Sequence, residues 1–316
     1  MRPGHLLDCF LVLIPCSTAY RAYTCPNRSA SLATMAHHHQ CNHDHQVHHQ
    51  HHHHHHVHSN ETPDKTLGEK NKEHFDHVAA TIFDTPWVAK LGEQVTQELR
   101  ENFAWFGVRA GSAGSATKML DYACGSGVVS RALASHVSVV RGIDISSAMV
   151  TQYNTLAEKA GFPPETMRAV HGDLLDGDAT PSPELAETAA ATAEFSGFDL
   201  AVMSLALHHV ADVDAMVQRL ADRLVDGGVL VIVDWMSEEA SVEGWKKFVD
   251  ADRDEDLPAR QTVSRMGFSE RPLRETFEKA GLKKGWGWRA FVEESEVPST
   301  VGGRLRGFMA KGVKGA

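Results

Sequence analysis

The chain is short of cysteine, of basic clusters and of long apolar runs, and each shortage argues against a class of protein. Only five cysteines occur in 316 residues, and four of them precede residue 42, so the rest of the chain holds Cys124 alone and cannot form an internal disulfide. The formal net charge is −10 with histidines neutral, and no Lys/Arg cluster lies near the small-residue turn at 123–127. We therefore expect neither a disulfide scaffold nor a nucleic-acid partner, whose phosphates would require a basic face.

Residues 1–34 have the composition of a leader. Arg2 is followed by a mostly apolar stretch and then by the small residues Ser17-Thr18-Ala19, as in a secretory signal, although Asp8 interrupts the apolar stretch. That stretch is too short to span a bilayer, so no stable membrane span is expected. Met35 is an alternative start, because the remaining chain makes sense without the leader. The expected location is cytoplasmic, with the secretory pathway or an organelle as the alternative if the leader is real.

Residues 35–63 are dominated by histidine. Fourteen histidines lie between His37 and His58, interrupted by other polar residues, Val and Cys41. Imidazoles at this density can chelate Zn²⁺, Ni²⁺ or Cu²⁺ nonspecifically, but the spacing of a zinc finger is absent, so no defined metal site is predicted. The composition favours a disordered polar tail.

The stretch 118–145, KMLDYACGSGVVSRALASHVSVVRGIDI, carries the strongest signal in the chain. A short apolar run ends at Asp121, the small residues 123–127 form a tight turn, and a helical pattern starts at Val128. A second buried-strand pattern follows and ends at Asp144. Strand, glycine turn, helix, strand and acid make up the first half of a dinucleotide-type βαβ unit.

The turn departs from a phosphate-binding turn in two ways. Gly125 and Gly127 would let backbone N–H groups approach a ligand, but Asp121 at the mouth of the turn repels a pyrophosphate and attracts a cation. Ser130 occupies the place of the third glycine of G-x-G-x-x-G. Both departures favour an adenosine ligand without phosphates and with a positive charge. S-adenosylmethionine fits this description, and Asp144 can accept hydrogen bonds from both ribose hydroxyls.

DYACGSG followed by GIDIS resembles the opening motifs of class I S-adenosylmethionine-dependent methyltransferases. The small-molecule branch, which includes ubiquinone-type C-methyltransferases, is the most similar. FDLAVMSLALHHV, residues 198–210, resembles the fourth-strand motif of the same family. The Asn/Asp-Pro-Pro-Tyr/Phe pattern of exocyclic-amine methyltransferases is absent, which counts against methylation of DNA bases. The resemblance extends from about Asn71 to the C-terminus.

This resemblance implies a Rossmann-like, doubly wound α/β fold. Its seven-stranded sheet would be mostly parallel with an antiparallel C-terminal strand, and two N-terminal lid helices would precede it. Within a methyltransferase domain at 64–316, the N-terminal helices would occupy 64–116, the donor-binding core 117–235, and a substrate-side segment with the closing strands 236–316. The pattern places helices at 64–80, from Pro86, at 212–224 and, capped by Ser269, at 268–280; it places later strands at 229–235, 282–292 and 305–313.

The resemblance also implies how the donor is held. Asp121 would favour the ammonium directly or through water, Asp144 would hold the ribose, and Asp173 would bond the adenine amino group. The predicted donor-contacting set is Asp121, Ala123, Cys124, Gly125, Gly127, Asp144, Ile145, Asp173, Leu174 and Ser204. Phe75 and Trp87 are candidates for pocket walls, with simple helix packing as the alternative.

His208 and His209 follow the fourth strand and are candidates for a general base. An imidazole can take a proton from a phenol or an enol-like carbon, but adjacent residues at a strand end point different ways, so at most one should reach the substrate. The alternative is a histidine that hydrogen-bonds neighbouring backbone. Asp234 and Trp235, at the end of the fifth strand, are expected on the substrate side. The expected partner is a small-molecule methyl acceptor, and the sequence leaves its reacting atom and the oligomeric state open.

Two other functions stay open at this stage. A nicotinamide-dependent oxidoreductase would share the fold, but it would need the third glycine and would tolerate Asp121 poorly. A non-catalytic metal-binding protein would use the histidine tract at 37–58 and keep a methyltransferase-like domain without activity.

Overall fold

The structure is a computed structural model, and it describes residues 65–108, 116–175, 193–237, 260–299 and 303–315. The predicted leader, the histidine tract and most of the substrate-side segment before residue 260 lie outside these residues.

Two helices precede the sheet, as the sequence predicts. Helix α1 spans Leu67–Val78, and Thr66 and Glu69 form a reciprocal capping box at its start. Helix α2 spans Pro86–Phe106, with proline in its first turn, where the missing N–H costs nothing. A short 3₁₀ turn at Ile82–Asp84 joins them. No helix in the described residues is both long enough and apolar enough to cross a membrane.

A seven-stranded sheet forms the centre of the domain, in the order β3-β2-β1-β4-β5-β9-β6. Strands β1 to β5 run parallel, and β9 runs antiparallel to both β5 and β6, so the predicted fold class is confirmed. Its strands are β1 (Lys118–Tyr122), β2 (Val139–Asp144), β3 (Met167–His171), β4 (Phe198–Ser204), β5 (Leu224–Trp235), β6 (Lys284–Ala290) and β9 (Gly307–Val313). A separate pair, β7 (Ser295–Glu296) and β8 (Arg304–Leu305), was not predicted from the sequence.

Hydrophobic side chains fill both faces of the sheet. Helices α3 (Val128–Leu133) and α4 (Ser147–Lys159) pack with α2 on one face, whereas α5 (Val213–Asp222) and α6 (Glu270–Lys279) pack on the other. Neighbouring strand residues point to opposite faces of the sheet. Met119 packs on the face covered by α2, α3 and α4, and Leu120 packs on the face covered by α5 and α6. Burial on both faces explains why these strands read as continuous apolar runs.

A strand boundary and a helix cap differ from the sequence prediction. Strand β5 begins at Leu224 and not at Val229, because Gly227 and Gly228 continue the strand through an irregularity in its pairing with β4. Gly227 has φ +83°, and a Cβ on Gly228 would lie 2.9 Å from the carbonyl oxygen of Phe198, so both positions favour glycine. Ser269 does stand at the N-cap of α6, but its side chain makes no capping hydrogen bond.

Helix α1 is fixed over the carboxyl ends of the strands by two polar side chains. Asn71 is 6% exposed, and its amide Nδ2 donates to the carbonyl oxygens of Thr262 at 3.0 Å and His209 at 3.4 Å. Asp76 accepts from the Ser146 hydroxyl at 2.7 Å, at the start of α4. Burial opposes ionisation of Asp76, but hydrogen bonds from Lys72 and from the α4 terminus outweigh it and lower the pKa to about 2.

Candidate active site

A cavity of about 1180 Å³ lies at the carboxyl ends of the first four strands, covered by α1 and the first half of α2. Ligands of open α/β sheets bind at this edge. Sites for one drug-sized ligand commonly measure roughly 300–1,000 Å³, so this cavity has room for a donor and a small acceptor together.

The sequence placed ten residues around the donor, and eight of them line this cavity: Asp121, Ala123, Cys124, Gly125, Asp144, Ile145, Asp173 and Ser204. The other two, Gly127 and Leu174, lie behind its wall. Gly127 packs against Tyr153, and the Leu174 side chain belongs to the hydrophobic core. The structure thus brings most of the predicted set to one surface, although the residues span more than eighty positions of the chain.

The turn between β1 and α3 has a backbone that favours glycine. Gly125 has φ +50° and Gly127 has φ +85°, in the left-handed region. A Cβ at Gly125 would lie 3.3 Å from the tip of the Phe83 ring, and one at Gly127 would lie 2.8 Å from the Tyr153 ring. Glycine is therefore needed at both positions, because the turn has positive φ angles there and because the rings of Phe83 and Tyr153 leave little room for a side chain.

Ser130, at the position of the missing third glycine, holds the Asp121 carboxylate. Its backbone N–H donates to Asp121 Oδ2 at 3.1 Å and its hydroxyl donates to the same oxygen at 2.6 Å. The Tyr153 hydroxyl donates to Ser130 Oγ at 2.7 Å, which completes a buried network. Burial raises the pKa of Asp121 to about 7, and the hydrogen bonds from Ser130 only partly offset that effect.

Asp144 closes the other side of the turn. Its two carboxylate oxygens accept from backbone N–H groups, of Gly125 at 2.8 Å and of Ser146 at 2.9 Å. Burial raises the pKa of Asp144 to about 6, although these two bonds favour the ionised form. Two buried carboxyl groups with raised pKa values suit a ligand that brings a positive charge or hydroxyl donors.

These raised pKa values predict how stability depends on pH without ligand. An unfolded aspartate titrates near 3.9, so between about pH 4 and pH 7 the folded chain binds more protons than the unfolded chain. The contribution of Asp121 and Asp144 to the free energy of unfolding is therefore fully present below about pH 4, and it is lost as the pH rises through 6 to 7. Urea unfolding at pH 5 and pH 7.5 measures it. We expect the Asp121→Asn variant to be more stable relative to the parent at pH 7.5 than at pH 5. If the difference in unfolding free energy between variant and parent is the same at both pH values, burial does not raise the pKa of Asp121.

Asp173 reaches the cavity from the turn after β3. Its Oδ1 accepts from the Tyr122 hydroxyl and from the Leu175 N–H, both at 2.9 Å. The Leu174 N–H donates to the Tyr122 oxygen at 3.2 Å. The second oxygen, Oδ2, lies 3.9 Å from the place where a Cβ would stand on Gly68 of α1. Asp173 is thus held in place by β1 and lies beneath the first turn of α1.

The two candidate bases have different surroundings. His208 Nδ1 lies 2.7 Å from the Asp234 carboxylate, whereas His209 Nδ1 lies 2.8 Å from the carbonyl oxygen of Thr262 and donates to it. Burial holds the pKa of His209 well below its usual range, and the neighbouring His208 lowers it further. The ring of Phe75 packs edge-on against His209, with centroids 5.4 Å apart. His209 therefore matches the alternative of a histidine that bonds backbone.

Aromatic side chains form much of the remaining wall. Phe75, Trp87 and Trp235 all line the cavity, in agreement with the prediction from the sequence. Phe83, for which no role was predicted, also lines the cavity and packs on the glycine turn. Asp234 was expected at this end of the sheet, but no sequence pattern indicated that it pairs with His208. Phe83-Asp84 is a short segment between two helices, and Asp234 is an acid near the end of a strand. Both features are common in proteins, so neither indicated a role in the site.

A glycine turn, an acid at the end of β2 and this sheet order are together typical of α/β domains that bind a nucleoside, and comparison with known proteins finds methyltransferases among the similar chains. Residues 120–230 match the family described as a methyltransferase domain. An uncharacterized methyltransferase of Schizosaccharomyces pombe is 33% identical over 122 residues, which are 38% of this chain and 39% of that protein. One from Mycobacterium tuberculosis is 27% identical over 121 residues, 38% of this chain and 51% of that protein.

Among solved structures, magnesium protoporphyrin IX methyltransferase from Synechocystis, with S-adenosylhomocysteine bound, superimposes with a TM-score of 0.52 at 15% identity. The superposition covers 79% of this chain and all of that protein. The chain thus shares the fold of that structure, and its residues 120–230 are similar to methyltransferase domains. The matched segment spans 39% of the length of the Schizosaccharomyces pombe protein and 51% of the length of the Mycobacterium tuberculosis protein.

Proposed function

We propose that this protein is an S-adenosylmethionine-dependent methyltransferase of the small-molecule branch that acts on a small organic acceptor. The observation that carries the proposal is the donor-site chemistry. Three carboxyl groups, from Asp121, Asp144 and Asp173, line one cavity around a turn of bare backbone. Such a set attracts an ammonium and hydroxyl donors and repels phosphates.

The residues present fit the methyl donor. Asp144 has unused lone pairs on both oxygens for ribose hydroxyls, because each oxygen accepts one backbone hydrogen bond. Asp173 Oδ2 is directed toward α1 and can accept from an adenine amino group, while Asp121 favours the ammonium. When bound, S-adenosylmethionine supplies a methyl group on a sulfonium, an excellent leaving group. The chain orients the acceptor and excludes water, and alignment of this kind can supply most of the rate.

The cavity walls favour an apolar acceptor. Phe75, Phe83, Trp87 and Trp235 surround the space beyond the glycine turn, and Val297 and Leu305 near the β7–β8 pair complete it. Asn71 and Asp76 fix α1 over this space, so an acceptor inside it would be shielded from solvent. This shielding protects the reaction from water and strengthens the electrostatic interactions with the buried carboxylates.

Calorimetry with S-adenosylmethionine and with NADH tests the proposal on the full chain. We expect the methyl donor to bind with a Kd in the micromolar range, corresponding to about −8 kcal/mol, and NADH to give no measurable heat. Binding of NADH in preference to the donor would favour the nicotinamide-dependent oxidoreductase instead. Zn²⁺ binding without donor binding would favour the metal-binding alternative.

A further inference from the structure

Arg265 is a half-buried cation at the cavity wall, on the segment that leads into α6. Its guanidinium lies 5.4 Å from the centre of the Phe268 ring, and its Nε–H makes one long hydrogen bond, of 3.4 Å, to the Ser264 hydroxyl. No carboxylate pairs with Arg265 in the described part of the chain, whereas Lys72 at the same cavity is paired with Asp76 at 2.7 Å. Most of the five N–H donors of Arg265 can therefore bind an anion.

The backbone around Arg265 is anchored to the ends of two strands. The Ser264 N–H and hydroxyl donate to the His208 carbonyl oxygen at 2.9 and 3.0 Å, which fixes one side to the turn after β4. On the other side, the Phe268 N–H donates to the Trp235 carbonyl oxygen at 2.8 Å, at the end of β5. Because its backbone and the neighbouring ring are fixed, the side chain of Arg265 has less freedom to lose when it binds a ligand.

Arg265 lies on the side of the cavity away from the proposed donor residues. Asp121, Asp144 and Asp173 lie on or directly after β1, β2 and β3, on one side of the sheet order β3-β2-β1-β4-β5-β9-β6. Arg265 is anchored to the ends of β4 and β5, on the other side of β1. An anion bound by Arg265 is thus separated from these three carboxylates, and it does not compete with the donor for them.

A second cavity, of about 490 Å³, meets the first at Arg265. It lies between α5 and α6, and Ala211, Asp212 and Arg265 line both cavities. Ala211, Asp212 and Asp214 are exposed to solvent, so this second cavity is open to water. An anion at Arg265 would keep part of its hydration there, which lowers the cost of removing its charge from water.

The two acids of the second cavity already have partners. Asp212 caps α5, where its Oδ1 accepts from the Ala215 N–H at 2.9 Å, and Asp214 pairs with Lys279 at 2.6 Å. Both acids are exposed, so solvent screens their charges. They therefore offset the positive charge of Arg265 only in part.

We propose that Arg265 binds a carboxylate on the acceptor, so that the acceptor is an apolar carboxylic acid whose apolar part lies in the aromatic-walled cavity. The inference rests on the proposed function and names its substrate class. A planar guanidinium can form two parallel hydrogen bonds to a carboxylate, whereas an uncharged amide offers it a single acceptor oxygen. The carboxylate is thus a binding group, on the side of the cavity away from the glycine turn.

Naphthalene-1-acetate and naphthalene-1-acetamide test the substrate class, because they share an apolar body and differ in charge. With S-adenosylhomocysteine added to fill the donor site of the full chain, we expect titration calorimetry to give the acid a Kd about tenfold lower than that of the amide. Equal affinities, or failure of the acid to bind at millimolar concentration, would overturn the substrate class. This comparison uses the unaltered chain, so it does not depend on the folding of a variant.

Arg265→Gln tests the assignment to this residue. We expect the acid to lose its advantage over the amide while the affinity for the amide stays the same. Arg265→Lys should keep part of the preference, because it retains the charge without the planar fork. A preference for the acid that survives in full in Arg265→Gln would overturn the assignment.

Arg271→Gln is the matched control, because it removes the same charge from a nearby position. The Arg271 side chain is 91% exposed and pairs with Glu275 on the surface of α6. We expect this variant to prefer the acid as strongly as the parent does. An equal loss of preference in Arg271→Gln and Arg265→Gln would show that net charge is responsible, and it would overturn a local contact at Arg265.

The methyl donor also carries a carboxylate, so its affinity is measured on Arg265→Gln as well. We expect that affinity to be unchanged, and a tenfold loss would place Arg265 at the donor and overturn the inference. If S-adenosylmethionine gives no binding heat with the parent, the proposed function is wrong, whichever probe binds. If the donor binds and the parent does not distinguish acid from amide, the methyltransferase proposal stands and only the carboxylate inference is wrong.

Discussion

Replacing Asp144 by alanine is expected to weaken S-adenosylmethionine binding by about 1.5–3 kcal/mol, or roughly 10- to 150-fold in Kd. The carboxylate is proposed to accept from the ribose hydroxyls, and it also holds the Gly125 N–H at 2.8 Å and the Ser146 N–H at 2.9 Å. Alanine therefore removes the ligand contact and the group that fixes the glycine turn. Titration calorimetry on the variant and the parent measures the difference.

Asp199→Ala is the matched control for this experiment. Asp199 Oδ2 also accepts a backbone hydrogen bond, from the Lys118 N–H at 2.8 Å, but it lies near the amino end of β4, away from the cavity. We expect donor affinity to be unchanged in this variant. Asp144→Asn is a second test. The carboxylate accepts from the N–H groups of Gly125 and Ser146, and in the variant the amide NH₂ would face one of these two donors. Unchanged affinity in both Asp144 variants would remove Asp144 from the ribose site.

Gly127→Ala is expected to cost about 2–4 kcal/mol of unfolding free energy. At φ +85° an L-residue pays about 1–2 kcal/mol for the left-handed backbone alone. The added methyl would also stand 2.8 Å from the Tyr153 ring and 3.0 Å from an Arg131 nitrogen, and the Tyr153 ring is fully buried. Because Tyr153 bonds Ser130, which holds Asp121, its displacement should also weaken donor binding.

Gly161→Ala separates backbone strain from crowding. Gly161 has φ +84°, almost the same as Gly127, but nothing lies within 4 Å of the position of its Cβ. We expect this variant to lose only the backbone contribution of about 1–2 kcal/mol and to bind the donor normally. Equal losses of stability in the two variants, measured by urea unfolding, would show that the contact with Tyr153 carries no cost.

Much of the fold could be predicted because local signals and the global architecture agree. Apolar runs buried on both faces predict parallel strands, and Pro86 marks the start of α2. The boundary of β5 was missed because Gly227 and Gly228 ordinarily end an element, whereas here they continue a strand through a bulge. A Cβ on Gly228 would lie 2.9 Å from the carbonyl oxygens of both Val225 and Phe198, and the second of these contacts is not local.

The sequence alone determined that the turn after β1 would be bare backbone flanked by acids, since glycine and aspartate have distinctive conformational and charge properties at any position. Tertiary structure decided what those acids contact. It placed Ser130 against Asp121, Phe83 over Gly125 and Asp234 behind His208, pairs separated by 9, 42 and 26 positions. For His208 and Asp234 the physical reason is that parallel strands bring their carboxyl ends together whatever the chain between them contains. Ser130 and Phe83 reach the same edge from α3 and from the 3₁₀ turn before α2, and sequence spacing does not encode where those elements pack.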